Sequence, residues 1–294
     1  MTEDLTPLDS AWISGNPPPV HGGGTTKNSR GRVLVVGGSL RVPGALRLTG
    51  EAALRVGAGK LQMGTVAPAA LPLGMLVPEA GVIALPDDGE GEIGAGAAEA
   101  LGSAVKSCDA LVFGPAIGSP DAAERLLRDL LALSGDEVVL IVDAVAIGCA
   151  RHLRSELARF SGRLVLTPHH GEMAILTGED EDAIPDRAAA IARQVSDDYG
   201  AVVVLKGSDT VIAAPGAGLL HYGGGGTGLA TGGSGDVLAG AIAGLVSRGA
   251  APLVAAGWGV WLHGQSGRRV ATTRGPIGFL AREVPVEFPR LLPQ

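Results

Sequence analysis

The chain has 294 residues, 46% of them hydrophobic, so it can bury a full core, and α/β folds of this length often form one domain. Its 30 acidic residues outnumber 23 basic ones, which excludes the basic footprint on which nucleic-acid binding depends. Three Trp, two Tyr and four Phe are too few to supply stacking platforms for single strands. Cys108 and Cys149 show no metal-type spacing, so neither a disulfide framework nor a zinc site is expected, as suits a cytoplasmic protein.

Residues 1–31 open on an acidic stretch without the apolar core of a secretory signal and read as a loose tail before one catalytic domain over 32–294. The first apolar run is Arg32 to Val36, and Lys60 to Val66 is the next. Leu61 to Pro78 carries no charge but contains Pro68, Pro72 and Pro78. The prolines argue against a membrane helix and predict a buried strand followed by an irregular loop. Further runs are Ala110 to Phe113, Val138 to Val142, Arg163 to Leu166 and Ala201 to Leu205. Between them, Ser119-Pro120 offers an N-cap and a first-turn proline for a helix with Leu126, Leu127, Leu130 and Leu131 on one face. Pro185 to Tyr199 reads as a second helix. Continuous apolar strands alternating with amphipathic helices predict a doubly wound, mostly parallel sheet covered on both faces.

In such sheets ligands bind beyond the carboxyl ends of the strands. The residues there are Gly37-Gly38-Ser39, Gly114 to Gly118, Asp143, Thr167 to Glu172, and Lys206-Gly207. The strongest segment is Gly225 to Asp236, which leads directly into the apolar run Val237 to Val246. Gly232, Gly233, Ser234 and Gly235 can turn consecutive amides into one concavity at a helix start, an anion hole suited to phosphate. Asp236 beside it is expected to stay ionised in the helix dipole and to accept the proton of an attacking hydroxyl. Lys206 is a candidate for the nucleotide side.

Competing motifs fail. Gly59-Lys60 is followed by Leu61, which breaks a Walker A loop, and Asp236 stands where a nucleophile elbow at Ser234 needs glycine. Gly223, Gly225 and Gly228 match a dinucleotide fingerprint only formally, because no apolar helix begins directly after them. His169-His170 lacks a second ligand pair, and His263 reads as a packed core histidine.

These residues resemble the ribokinase-like superfamily, and within it the ADP- or ATP-dependent NAD(P)H-hydrate dehydratases. The resemblance spans roughly Arg32 to Leu291. It rests on Gly37-Gly38-Ser39 with Pro43-Gly44-Ala45, Ala52 to Gly59, Phe113 to Gly118, Thr167 to Glu172, Lys206 to Thr210, and Gly232 to Asp236. It implies repair of damaged cofactor: the nucleotide phosphorylates the ring hydroxyl of NAD(P)H-hydrate, and loss of phosphate restores NAD(P)H. By matching position, Ala45, Gly118, His169 and Asp236 would contact the hydrate, with Asp236 as base. Lys206, Gly207, Ser208, Asp209, Thr210 and Gly235 would contact the nucleotide, and Mg2+ would bridge its phosphates rather than occupy a resident metal site. ADP is implied as donor for a bacterial chain and ATP for a eukaryotic one. A homo-oligomer, as relatives are often tetramers, and a functional link to a separate epimerase are implied as well.

The chain departs from the family pattern at four positions. Val145 and Gly148 replace an Asp and an Asn after the central strand, Gly226 replaces an Asn before the glycine loop, and His170 stands where relatives often have proline. The alternatives kept open are a small-molecule kinase acting on a sugar, hydroxymethylpyrimidine or thiazole alcohol, and a noncatalytic nucleotide sensor.

Overall fold

Strands fall where the apolar runs predict them, and further strands flank these. In a computed structural model, which describes residues 5–293, they are β1 (Leu5–Pro7), β2 (Arg32–Val36), β3 (Lys60–Val66), β4 (Ala80–Leu85), β5 (Ala110–Phe113), β6 (Val139–Val142), β7 (Leu164–Leu166), β8 (Val202–Leu205), β9 (Thr210–Ala213) and β10 (Leu219–Tyr222). The helices are α1 (Ser10–Gly15), α2 (Ala45–Arg55), α3 (Ala67–Leu76), α4 (Ala97–Ser107), α5 (Pro120–Leu133), α6 (Val145–Ala150), α7 (Arg154–Leu157), α8 (His170–Thr177), α9 (Ala188–Tyr199), α10 (Ser234–Ser247), α11 (Pro252–Arg274) and α12 (Phe288–Leu291).

The described strands form one sheet in the order β1-β10-β9-β8-β7-β6-β5-β2-β3-β4. From β8 to β4 every neighbouring pair is parallel, while β9 runs antiparallel to both β8 and β10. Alternate side chains serve opposite cores. Leu34, Val36, Leu111 and Phe113 pack with α4, α5, α6, α8 and α9, whereas Val33, Val35, Ala110 and Val112 pack with α2, α10 and α11. Burial on both faces is why these strands lack polar alternation.

The chain leaves β2 toward β3 and β4, then crosses back to β5 on the other side of β2. This switch point opens a crevice at the carboxyl rim. There Gly38 N–H donates to Pro115 O at 2.7 Å, and a side chain on Gly37 would collide with Pro115 O at 2.2 Å. Helix α10 lies across β2, β5 and β6 and packs along α2. That contact needs two glycines: a Cβ on Gly240 would meet Thr49 O at 2.0 Å, and one on Gly244 would meet Ala53 O at 2.5 Å. One turn back along both helices stand Asp236 and Ala45, so the packing that joins α2 to α10 also sets their starts side by side.

Two expectations are corrected. The segment before Arg32 is not loose: β1 pairs in parallel with β10, and Leu8 N–H donates to His221 O at 2.8 Å. Asp9 caps α1, Leu8 and Ile13 are buried, Trp12 lies over Gly257, and Trp258 Nε1–H donates to Asn16 O at 2.6 Å. The segment covers what would otherwise be an open edge of β10. The acidic opening Met1 to Asp4 lies outside the described residues.

The proline-rich stretch after β3 is likewise a helix, not an irregular loop. Pro68 sits in the first turn of α3, where no N–H is needed, and Pro72 is on its exposed side, where water can serve the carbonyl left unpaired. Among the described residues no helix is long and apolar enough to cross a membrane.

Because the α2–α10 contact is backbone to backbone, Gly240→Ala should lower stability by about 1–3 kcal/mol in urea unfolding. Gly232→Ala, with open space around its Cβ position, should leave the urea midpoint unchanged.

Candidate active site

The rim loops meet around Lys206, which follows β8. Its ammonium lies 3.0 Å from Asp143 Oδ1 and 3.7 Å from Glu172 Oε2. Asp143, directly after β6, is buried and also accepts from Thr167 Oγ1–H at 2.7 Å. Burial alone would lower the lysine pKa, but Asp143, Glu172 and Asp236 outweigh it and hold the amine above its ordinary value. Lys206 is therefore a fixed cation at the centre of the rim.

The next residue of the chain after Asp143, Ala144, has φ 54°, and Ala116 in the loop after β5 has φ 56°. Non-glycine residues adopt such angles only where their surroundings force them, and such sites cluster in functional regions. Here both lie at the rim, where side chains of neighbouring loops are packed against one another.

His169 ends the strand-to-helix connection as N-cap of α8. Its Nδ1 accepts from Glu172 N–H at 3.2 Å, and Glu172 Oε2 accepts from His169 N–H at 2.8 Å. This capping box aims Glu172 back at Lys206 while leaving the imidazole largely exposed. His170, one residue on, lies against Gly207: a Cβ on Gly207 would sit 2.9 Å from His170 Nε2. Glycine at 207 is thus what allows histidine at 170.

Helix α10 begins at Ser234 after Gly233, whose φ is 88° and which makes no side-chain cap. Neither Ser234 nor Asp236 caps the helix. The amides of Gly232, Gly233, Gly235 and Asp236 find no acceptor among the described residues, and they converge at the positive end of the dipole. Gly226 is explained by its backbone, φ 99° and ψ 159°, a region essentially restricted to glycine. Val145 and Gly148 lie in α6 on the packed side of the sheet, with Gly148 against Ile175.

The expectation that Asp236 stays fully ionised is corrected. Burial first, then Asp143, with Glu172 adding and Lys206 opposing, pushes its pKa up to about 7. The helix start does not cancel the loss of water and the nearby negative charge. A group poised near neutrality can exchange a proton in either direction.

A cavity of about 950 Å³ lies against this cluster, lined by His169, Lys206 to Thr210, Tyr222 to Thr227, Ser234, Gly235 and His263 among others. The structure thus brings His169, Lys206, Gly207, Ser208, Asp209, Thr210, Ser234 and Gly235 around one space. Ala45, Gly118, Gly232, Gly233 and Asp236 lie outside that lining. Gly118 N–H is held by Glu92 Oε2 at 2.9 Å. Arg268 closes the far wall, donating to the carbonyls of Gly223 and Gly224 at 2.9 and 2.7 Å.

Asp143, Thr167 and Glu172 carry no individual role in the sequence reading, and His263 reads there as core. His263 instead faces the cavity and lies 2.9 Å from Ser234 Oγ. Only its spacing opposite the start of α10 in a folded chain shows this.

Comparison with known proteins bears on the family. A family model described as NAD(P)H-hydrate dehydratase matches residues 33–290. The ADP-dependent (S)-NAD(P)H-hydrate dehydratase of Xanthomonas campestris is 44% identical over 97% of this chain and 95% of its own length. A bifunctional NAD(P)H-hydrate repair enzyme of Moorella thermoacetica is 36% identical, and the match spans 52% of that longer protein. Among solved structures, the ADP/ATP-dependent NAD(P)H-hydrate dehydratase of Bacillus subtilis, co-crystallised with ATP and Mg2+, superposes with a TM-score of 0.81 at 25% identity over 98% of both chains. The fold is therefore ribokinase-like, and the chain belongs to the NAD(P)H-hydrate dehydratase family.

Proposed function

We propose that this protein is an ADP-dependent dehydratase that returns (S)-NAD(P)H-hydrate to NAD(P)H. The observation that carries the mechanism is Asp236, a carboxylate poised near neutral pH beside four acceptor-free amides and the Lys206 ammonium. The nucleotide would occupy the large cavity, with Lys206, Gly207, Ser208, Asp209, Thr210 and Gly235 against it. The hydrate would approach from the side of Ala45, Gly118 and His169, so that Asp236 stands between the two.

Asp236 would take the proton of the ring hydroxyl as that oxygen attacks the β-phosphorus of ADP. The bond from phosphorus to the AMP oxygen breaks and AMP leaves. Amides of the α10 start and Lys206 would stabilise the charge on the phosphoryl oxygens, which is where most of the work in phosphoryl transfer lies. The phosphate ester then eliminates: the ring C–O bond breaks, a proton leaves the adjacent carbon, and the ring double bond is restored.

Among the described residues no set of three or more His, Cys, Asp or Glu is placed to hold a metal ion. Mg2+ would therefore be held chiefly by phosphate oxygens and water, with at most one or two carboxylates such as Asp236 or Glu172. When bound, it supplies neutralisation of phosphate charge.

The finer context is proposed on the same footing. A cytoplasmic location is part of this proposal, and the bifunctional relatives support a link to epimerisation of the hydrate. Self-association is supported by α3, whose uncharged outer side exposes Leu71, Met75 and Leu76. Sedimentation of Leu71→Asp beside the parent checks this, with a shift to monomer expected.

The direct test is hydrated NADH with ADP and Mg2+, followed by return of NADH absorbance. A stable phosphorylated product would instead mark a small-molecule kinase, and no turnover with ADP or ATP would overturn both. Asp236→Asn should lower kcat by about 10²- to 10⁴-fold while largely keeping ADP binding. The kcat/KM profile of the parent should fall on the acid side with an apparent pKa near 7, because protonation removes the base.

Stability should respond in the opposite sense. The folded pKa of about 7 exceeds the ordinary 3.8, so the native state binds more protons between these values and loses stability as pH rises through them. Asp236→Asn removes that penalty. Its melting temperature relative to the parent should therefore be higher at pH 8 than at pH 4, by up to about 10 °C.

A further inference from the structure

The mechanism above leaves His263 unused. It lies on α11, and α11 approaches α10 because Gly259, one turn earlier, rests on Ile242; a Cβ there would sit 2.6 Å from Ile242 Cγ1. The imidazole spans what remains, with Nε2 2.9 Å from Ser234 Oγ. Ser234 lines the cavity and is not spent as a helix cap. Burial, with Lys206 adding to it and Ser234 opposing, pushes the imidazole down to about 4. At neutral pH the ring is uncharged and carries one N–H.

The two tautomers present different faces to an anion. With the proton on Nδ1, Ser234 must give its hydroxyl hydrogen to Nε2 and can offer a phosphate only lone pairs. With the proton on Nε2, the ring donates to Ser234 Oγ, and the serine hydrogen is free to point outward. In either arrangement Nδ1 has no partner among the described residues, so what distinguishes the two is the hydrogen that Ser234 is left to offer.

We infer that His263 is a positioning residue for phosphate recognition: its Nε2–H holds Ser234 Oγ so that the serine hydroxyl donates to the β-phosphate of a nucleoside diphosphate at the start of α10. This deepens the function proposed above and rests on its nucleotide site. Ser234 then adds a side-chain donor to the backbone amides, and His263 fixes its direction without touching the phosphate.

The test uses the full chain and calorimetric titration with ADP, and separately AMP, in the presence of Mg2+. Ser234→Ala and His263→Leu should each weaken ADP binding by about 10- to 100-fold, and the double variant should be no weaker than either. His263→Gln, which keeps an N–H donor, should recover most of the loss. AMP, lacking the β-phosphate, should bind every variant as it binds the parent. Long-range 15N–1H NMR of the parent with ADP should show His263 protonated on Nε2, a readout that does not depend on any variant folding. An Nδ1–H tautomer, additive losses, or equal losses for AMP would overturn the assignment. A parent that binds ADP but repairs no hydrate would defeat the dehydratase and leave these readouts decisive, whereas a parent that binds no ADP defeats both.

Discussion

A single ammonium, that of Lys206, offsets Asp143, Glu172 and Asp236 at the rim of the sheet. Burying charge is costly unless partners and hydrogen bonds compensate. Here the partners come from the ends of β6 and β8, the first turn of α8 and the first turn of α10, so the ion cluster binds together elements that are far apart in sequence. The balance is left negative, and Asp236 bears the consequence in its raised pKa. An incoming anionic ligand would meet a site already organised around electrostatic strain rather than a neutral cleft.

That cluster can form only because backbones approach closely elsewhere. Gly240 and Gly244 let α10 settle on Thr49 and Ala53, Gly37 lets the loop after β2 nest on Pro115, and Gly114 lets the loop after β5 nest on Asp143. The packing is stiff where the chemistry needs fixed distances, since displacing a phosphate-binding helix start by even 1 Å costs transition-state stabilisation. The glycines of this chain thus divide into two kinds: those that open the anion hole and those that bring its walls together.

Much of this was legible in residues alone. Continuous apolar runs located β2, β3 and β5 to β8 because both faces of the sheet are covered, and the glycine run before Val237 located the start of α10. What the sequence concealed depended on tertiary neighbours. β1, β9 and β10 are short and carry no strong period, so their pairing is visible only in the folded sheet. Pro72 read as a helix breaker, yet its exposed position in α3 lets solvent absorb the missing hydrogen bond. The ionisation of Asp236 does not follow from its helix position, because burial raises its pKa first and the carboxylate of Asp143, just after a strand 93 residues earlier, adds to it. His263 looked like core because nothing in its local run reveals that Ser234 lies opposite.

The pairing of Leu5 with Leu219 also bears on how the chain is made. At roughly 5–20 residues per second of synthesis, on the order of ten seconds or more separate the emergence of the two strands from the ribosome. β1 must therefore wait, unpaired, until β10 appears. Its three-residue length and the exposure of all its side chains make that interval tolerable, since so short and wet a segment is a poor template for association with other nascent chains.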